Sequence, residues 1–201
     1  MNSPKVMTDH PSTPVSTLYR FCAQGLRYPE PDWFTEEYVS SLYLLLDSVG
    51  ATEEAAAIRQ KFNSSADTLE ELQIEYTRLF INGVRHVIAP PYGSVYQDRV
   101  LQGPHTEKTR NFYKQHGFDV DKNGELPDHL VNQLEFIALL IAQNNTTAKT
   151  AFLREIFHPW FPKFMARIQQ EANHPYYSVI VQLIDYLTKE DDENGIQHNE
   201  A

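Results

Sequence analysis

Two short segments of this chain bring aromatic, acidic and small polar residues together in patterns that could bind a ligand. The first runs Glu75-Tyr76-Thr77-Arg78-Leu79-Phe80 and resumes at Ala89-Pro90-Pro91-Tyr92-Gly93-Ser94-Val95-Tyr96. Leu79 and Phe80 fall on a helical stripe, and residues so spaced are more often core than contact. Tyr92 and Tyr96 sit in a segment stiffened by two prolines. There, aromatic rings form a preset apolar wall and phenol groups are left to hydrogen-bond a ligand. The second segment is Glu125-Leu126-Pro127-Asp128-His129-Leu130, with Glu135 a little further on. Asp128 reads equally as a helix cap or first-turn acid and as an anion that positions a ligand. His129 belongs in a first helical turn, where the helix dipole disfavours its charged form and a neutral, hydrogen-bonding imidazole is expected.

Generic catalytic patterns are missing. Ser94 lacks the G-x-S-x-G spacing of a nucleophile elbow, and no phosphate-binding glycine loop of either common type occurs. The eight histidines include no i, i+4 pair and no H-E-x-x-H, so their spacing gives no support to a metal site. We therefore expect no catalytic residue, no metal and no cofactor. An acid–base role for Asp128 and His129 stays open as a weaker, nucleotide-hydrolysing alternative.

The elements that must position these segments are helical. Val15, Leu18, Tyr19, Cys22 and Leu26 recur as one amphipathic stripe, and Tyr28-Pro29-Glu30-Pro31 breaks it. Phe34, Tyr38, Leu42, Leu45 and Leu46 form a second stripe that stops at Gly50. A short helix from about Thr52 to Phe62 follows, and Asp67 with Glu70 opens a fourth in the manner of a capping box. Between Ile81 and Pro104 the pattern fails. A stretch that long is usually functional or disordered, and its aromatic content argues against disorder; a helical turn is expected from Tyr92 to Arg99. Beyond it come a helix from Thr106 to His116, and one with Pro127 in its first turn and Leu130, Leu134, Ile137 and Ile141 on its stripe. A helix carrying Phe152 and Ile156 is interrupted at His158-Pro159, and stripes around Phe164 and Ile180 complete the set. The fold expected is all-α, one domain of roughly eight to ten helices with a long central Pro/Gly-containing loop. The domain spans residues 13–189, between a flexible leader, 1–12, and a polar tail, 190–201.

Composition narrows the partners. The chain has 201 residues, 17 Lys+Arg against 27 Asp+Glu, and a net charge of −10, which disfavours nucleic acid because phosphate neutralisation needs clustered cations. No apolar run reaches the roughly 20 residues needed to span a bilayer. No secretory signal is legible at the N-terminus, and the single cysteine, Cys22, excludes an internal disulfide. A reduced cytoplasmic protein with a cationic partner is the expectation.

Together the two segments resemble the TorD/DmsD family of redox-enzyme maturation chaperones, related more distantly to the NarJ type. The resemblance rests on Tyr76-Thr77-Arg78-Leu79-Phe80, then Pro91-Tyr92-Gly93-Ser94-Val95-Tyr96, then Pro127-Asp128-His129, in that order on an all-helical background. It implies a non-enzymatic chaperone that binds the twin-arginine leader of a molybdopterin-containing oxidoreductase, often its body as well, and holds export back until the cofactor is inserted. By motif position, the peptide-binding residues it implies are Tyr76, Leu79, Phe80, Pro91, Tyr92, Ser94, Asp128 and His129. The family often carries tryptophan where Tyr92 stands. Transient contact with the export machinery, and either a monomer or a homodimer that exchanges helices, are compatible with this picture.

The chemistry of such a ligand agrees independently. Two guanidinium groups followed by an apolar stretch call for carboxylates beside an aromatic-lined groove. Asp128 and Glu75 are the expected charges, and Tyr92, Tyr96, Leu79 and Phe80 the expected groove. The competing reading is a general helical adaptor in which these motifs serve packing alone.

Overall fold

Helices begin where a side chain can accept an otherwise free backbone N–H. Thr13 accepts from the Ser16 amide to open α1 (Pro14–Gly25), and Thr35 from that of Tyr38 to open α2 (Glu36–Ser48). After α3 (Thr52–Ser64), the Asp67 carboxylate accepts from the Glu70 amide at 3.0 Å and opens α4 (Thr68–Tyr76). The computed structural model describes residues 13–82, 87–121 and 124–197. The expected leader 1–12 and the last four residues of the expected tail lie outside them.

The second half of the chain holds α5 (Gly93–Gln97), α6 (Pro104–Gln115), α7 (Leu130–Ala142), α8 (Thr146–Phe152), α9 (Phe161–Glu171) and α10 (Pro175–Gln197). Helix α10 continues through the first residues assigned to the tail. Among the described residues there is no strand, only an isolated antiparallel bridge between Tyr92 and His129. The architecture is the all-α one expected. Helix α5 lies where the sequence leads one to expect a helical turn, between Tyr92 and Arg99.

Helix α7 is the axis of the bundle. Ten of its residues are buried, on every side of the helix, so it is a core element rather than an amphipathic surface one. Helix α1 lies along it in the most extensive helix–helix contact, and α8 covers another side. Aromatic rings fill the rest: Phe136 of α7 meets Tyr113, Phe118 and Phe152, with centroids 4.6, 5.3 and 4.9 Å away. Cys22 is buried in this core, and burial pushes its thiol up to about 12, far from any reactive range.

Helix α7 starts three residues later than its proline suggests. Residues 126–129 form a turn closed by the His129 amide on the Leu126 carbonyl at 3.0 Å, and the Pro127 carbonyl accepts from the Tyr113 hydroxyl at 2.9 Å. Pro127 therefore ends a loop instead of beginning a helix. His129, not Asp128, is the N-cap: its Nδ1 accepts from the Val131 amide at 3.2 Å. His174 caps α10 in the same way, its Nδ1 accepting from the Tyr176 amide at 3.2 Å.

Candidate functional site

The site is assembled from one helix end and two loops that close on each other. Helix α4 ends in a π turn, Thr77–Ile81, marked by the Asn82 amide on the Thr77 carbonyl at 2.8 Å. Such a bulge shifts the register of the residues after it and is frequent at functional sites. Here Leu79 turns fully inward, while Tyr76 stays half-buried at the rim. The Leu79 carbonyl accepts from the Ala89 amide at 2.8 Å, which ties the returning loop to the helix end.

The next residues zip onto the approach to α7. The Gly93 amide donates to the Asp128 carbonyl at 3.0 Å, and the Leu130 amide to the Pro91 carbonyl at 2.9 Å. The Asp128 carboxylate, fully buried, accepts from the Ser94 amide at 2.7 Å and so satisfies the start of α5. Asp128 is thus a helix cap, but of a helix 34 positions upstream. Ser94 is equally buried. Both residues can act on a ligand only through what they hold in place.

What they hold is the wall of a cavity of about 430 Å³. The end of α1 contributes Leu26, Arg27 and Tyr28, α4 contributes Tyr76, and the loop into α7 contributes Glu125 and His129. Tyr28 meets Tyr76 edge to face at 5.4 Å. Tyr92 packs edge to face on His129 at 4.9 Å, and its hydroxyl donates to the exposed Glu125 carboxylate. Asp121 adds a second acid to the lining, and Arg27 forms an ion pair with Glu135 of α7. Burial lowers His129 to about 4, against the opposing pull of Glu125 and Asp128, so the ring is neutral at physiological pH, as its place at a helix start leads one to expect. With Nδ1 accepting from the backbone, the neutral ring carries its hydrogen on Nε2.

Sequence-predicted residues divide by depth. Tyr76 and His129 line the cavity, and Tyr92, preceded by the buried Pro91, stands behind that lining on His129 and Glu125. Phe80 extends the aromatic row inward, 4.9 Å from Tyr76 and 5.4 Å from Tyr177. Leu79, Ser94 and Asp128 lie beneath. Tyr96 points to another face of α5, stacked on Trp160 at 5.7 Å with the Arg167 guanidinium 5.3 Å from its ring.

Glu75 is nearly buried and fully committed: Arg78 donates to it at 2.7 and 2.9 Å, and the Asn173 and His174 amides at 2.6 and 3.3 Å. Burial pushes its carboxyl upward, but these donors more than offset that and hold it below the usual range. It ties α4 to the start of α10 and offers no charge to a ligand. Replacing Glu75 by alanine is expected to cost on the order of 3 kcal/mol by stranding Arg78 and two amides, readable in urea unfolding.

The exposed carboxylates of the site are instead Glu125 and Asp121. Glu125 stood within the second segment, three residues before Asp128. Tyr28 was visible only as part of a helix break. Glu135 stood beside the second segment without a role, and Arg27 carries no local signal, since their pairing joins residues 108 positions apart.

The site is thus an aromatic, acid-rimmed cavity between the end of α1, the end of α4 and the loop into α7. The family model for the nitrate reductase delta subunit matches residues 47–166. The chain belongs to that family. It is 26% identical over 150 residues to the chaperone protein TorD of Actinobacillus succinogenes, covering 72% of this chain and 77% of that one. It is 29% identical over 134 residues to the Tat proofreading chaperone DmsD of Salmonella typhi, covering 65% and 64%. A crystal structure described as a redox enzyme maturation protein from Archaeoglobus fulgidus has a TM-score of 0.61 at 24% identity, covering 87% of this chain and 94% of that one, and shares the fold.

Proposed function

We propose that this chain recognises the leader peptide of a molybdopterin-containing oxidoreductase, with the cavity between α1, α4 and the start of α7 as the recognition site. The chain is a chaperone of redox-enzyme maturation, as its relatives are, and not an enzyme. The observation that carries the leader reading is the pairing of exposed acids, Glu125 and Asp121, with the rings of Tyr28 and Tyr76 around one open cavity, Tyr92 backing it through Glu125 and His129. A leader with guanidinium groups beside an apolar stretch matches both features. Exposed Arg–carboxylate contacts are worth about 0–1 kcal/mol each, so apolar burial carries the affinity while the acids set selectivity and association rate. Contact with the enzyme body and delay of export until cofactor insertion complete the proposal. Among the described residues, no helix is long and apolar enough to cross a membrane.

Titration of a synthetic twin-arginine leader into the full chain tests the site. Tyr76→Ala is expected to weaken binding by about tenfold, the loss of one well-packed ring. Glu125→Gln should cost about two- to fivefold and flatten the salt dependence. Glu125→Gln should keep its thermal midpoint within a few degrees, and Tyr76→Ala, which removes a ring packed on Phe80 and Tyr28, is compared at a temperature where it is folded. A general adaptor whose motifs serve packing alone would show lower midpoints and no separable binding defect.

A further inference from the structure

Arg27 is an odd residue to find in a site read as a receptor for arginine. It leaves the end of α1, lines the cavity, and places Nη2 on Oε1 of Glu135. Its side chain is 40% exposed and that of Glu135 20%, so the pair is partly open to solvent. Two carboxylates, Asp121 and Glu125, line the cavity against one lining cation among the described residues, Arg27, which holds a third carboxylate, Glu135, just outside the lining. His129 is neutral there and adds no charge. The rings of Tyr28 and Tyr76 stand beside Arg27 in the same lining, offering faces on which a guanidinium can rest. The cavity is therefore chemically suited to a guanidinium, and already contains one on a partner that an incoming group could take over.

We propose that this cavity is the subsite for one arginine side chain of a bound peptide, with Glu135 as its carboxylate and Arg27 as an internal stand-in. The stand-in holds Glu135 when no ligand is present and is released by the arriving guanidinium. This rests on the leader-binding reading above and specifies which carboxylate the leader uses. A partly exposed ion pair is weakly held, which is what an exchangeable contact requires. Arg27 then acts on specificity: it raises the threshold for any cation, and a bidentate guanidinium displaces it better than a point-charge ammonium does.

The test is calorimetric titration of the full chain and its Arg27→Gln, Arg27→Met and Glu135→Gln variants. Three probes are used: the twin-arginine leader, the same leader with both arginines changed to lysine, and an N-acetylated Arg-Arg dipeptide amide. Removing Arg27 is expected to tighten the leader and the dipeptide by about two- to fivefold, with the lysine leader gaining less. Glu135→Gln is expected to weaken both arginine probes. Arg27→Met keeps the aliphatic stem, so agreement between the two Arg27 variants separates charge from packing. If the leader binds the wild-type chain but the Arg27 variants bind it equally or more weakly, the stand-in is wrong and the leader reading survives. If the dipeptide is tightened while the leader binds no variant, the subsite stands and the leader reading falls. If neither arginine probe binds any variant, both fall.

Discussion

Acidification from about pH 7 to about pH 4 is expected to remove several kcal/mol of stability, well before ordinary carboxylates finish titrating. Two buried histidines cap α7 and α10 through Nδ1, which must be unprotonated to accept. Burial lowers both to about 4, from an ordinary value near 6.5. His105 is lowered too, by burial against the pull of Asp128 and Asp98. Below about pH 6.5 the unfolded chain takes up these protons and the folded chain does not. The unfolded state then binds more protons, so stability falls with falling pH and is lost through about pH 4. His129 alone is worth on the order of 3 kcal/mol at full titration, and His174 somewhat less. Glu75, held low by Arg78 and two amides, adds to the same trend at the acid end, because its stabilisation is present above its unfolded pKa and lost below. Urea midpoints across this range check the expectation. His129→Asn and His174→Asn keep a capping side chain without the titrating ring and should flatten the profile. Equal acid sensitivity in these variants would overturn the assignment.

Gly93→Ala should damage both fold and site. A Cβ on Gly93 would lie 2.5 Å from Nε2 and 2.6 Å from Cδ2 of His105, and 3.1 Å from Nε1 of Trp160. Both rings are buried, and the Trp160 indole N–H is engaged with Gln133 at 3.1 Å, so neither can swing aside freely. The backbone must move instead, and with it the Gly93 amide on the Asp128 carbonyl and the Ser94 amide on its carboxylate. Overpacking of this kind costs about 1–3 kcal/mol, and the loss of the Ser94 cap adds about 1. Tyr92 precedes Gly93 directly, so leader affinity should drop by more than about tenfold even at temperatures where the variant is folded. Circular dichroism melts and leader titration measure the two effects separately. A variant with a normal midpoint and normal affinity would mean that the loop does not position the site.

The helices were legible because each carries its own stripe and most carry their own cap. Asp67 and the threonine caps can be read from their neighbours, whereas α6 begins at Pro104, two residues before the expected Thr106. The swap between Asp128 and His129 could not be read that way. Capping by Asp128 depends on a helix that the chain places beside it from 34 positions away, and local sequence holds no record of that approach. The π turn at Thr77–Ile81 was hidden for a related reason: one extra residue in a turn leaves the apolar spacing nearly intact while redirecting the side chains beyond it. Leu79, read both as core and as a groove residue, is fully buried; Tyr76 lines the cavity and Tyr92 backs it through His129. Tyr96 does neither, since α5 turns it toward Phe164 and Trp160. Glu135 was singled out beside the second segment, but its pairing with Arg27, and the place of Arg27 and Tyr28 in the lining, depend on α1 running along α7, a tertiary fact.

Where a leader lies on the chain can be measured directly. A photo-reactive residue placed next to the twin arginines of a synthetic leader, cross-linked to the full chain and mapped by mass spectrometry, reports the contact. Cross-links to residues 26–28, to Tyr76 and to residues 120–132 are the result expected. Cross-links confined to the apolar groove of Leu46, Val49, Leu183 and Tyr186, between α2 and α10 on another part of the surface, would contradict the assignment of the site.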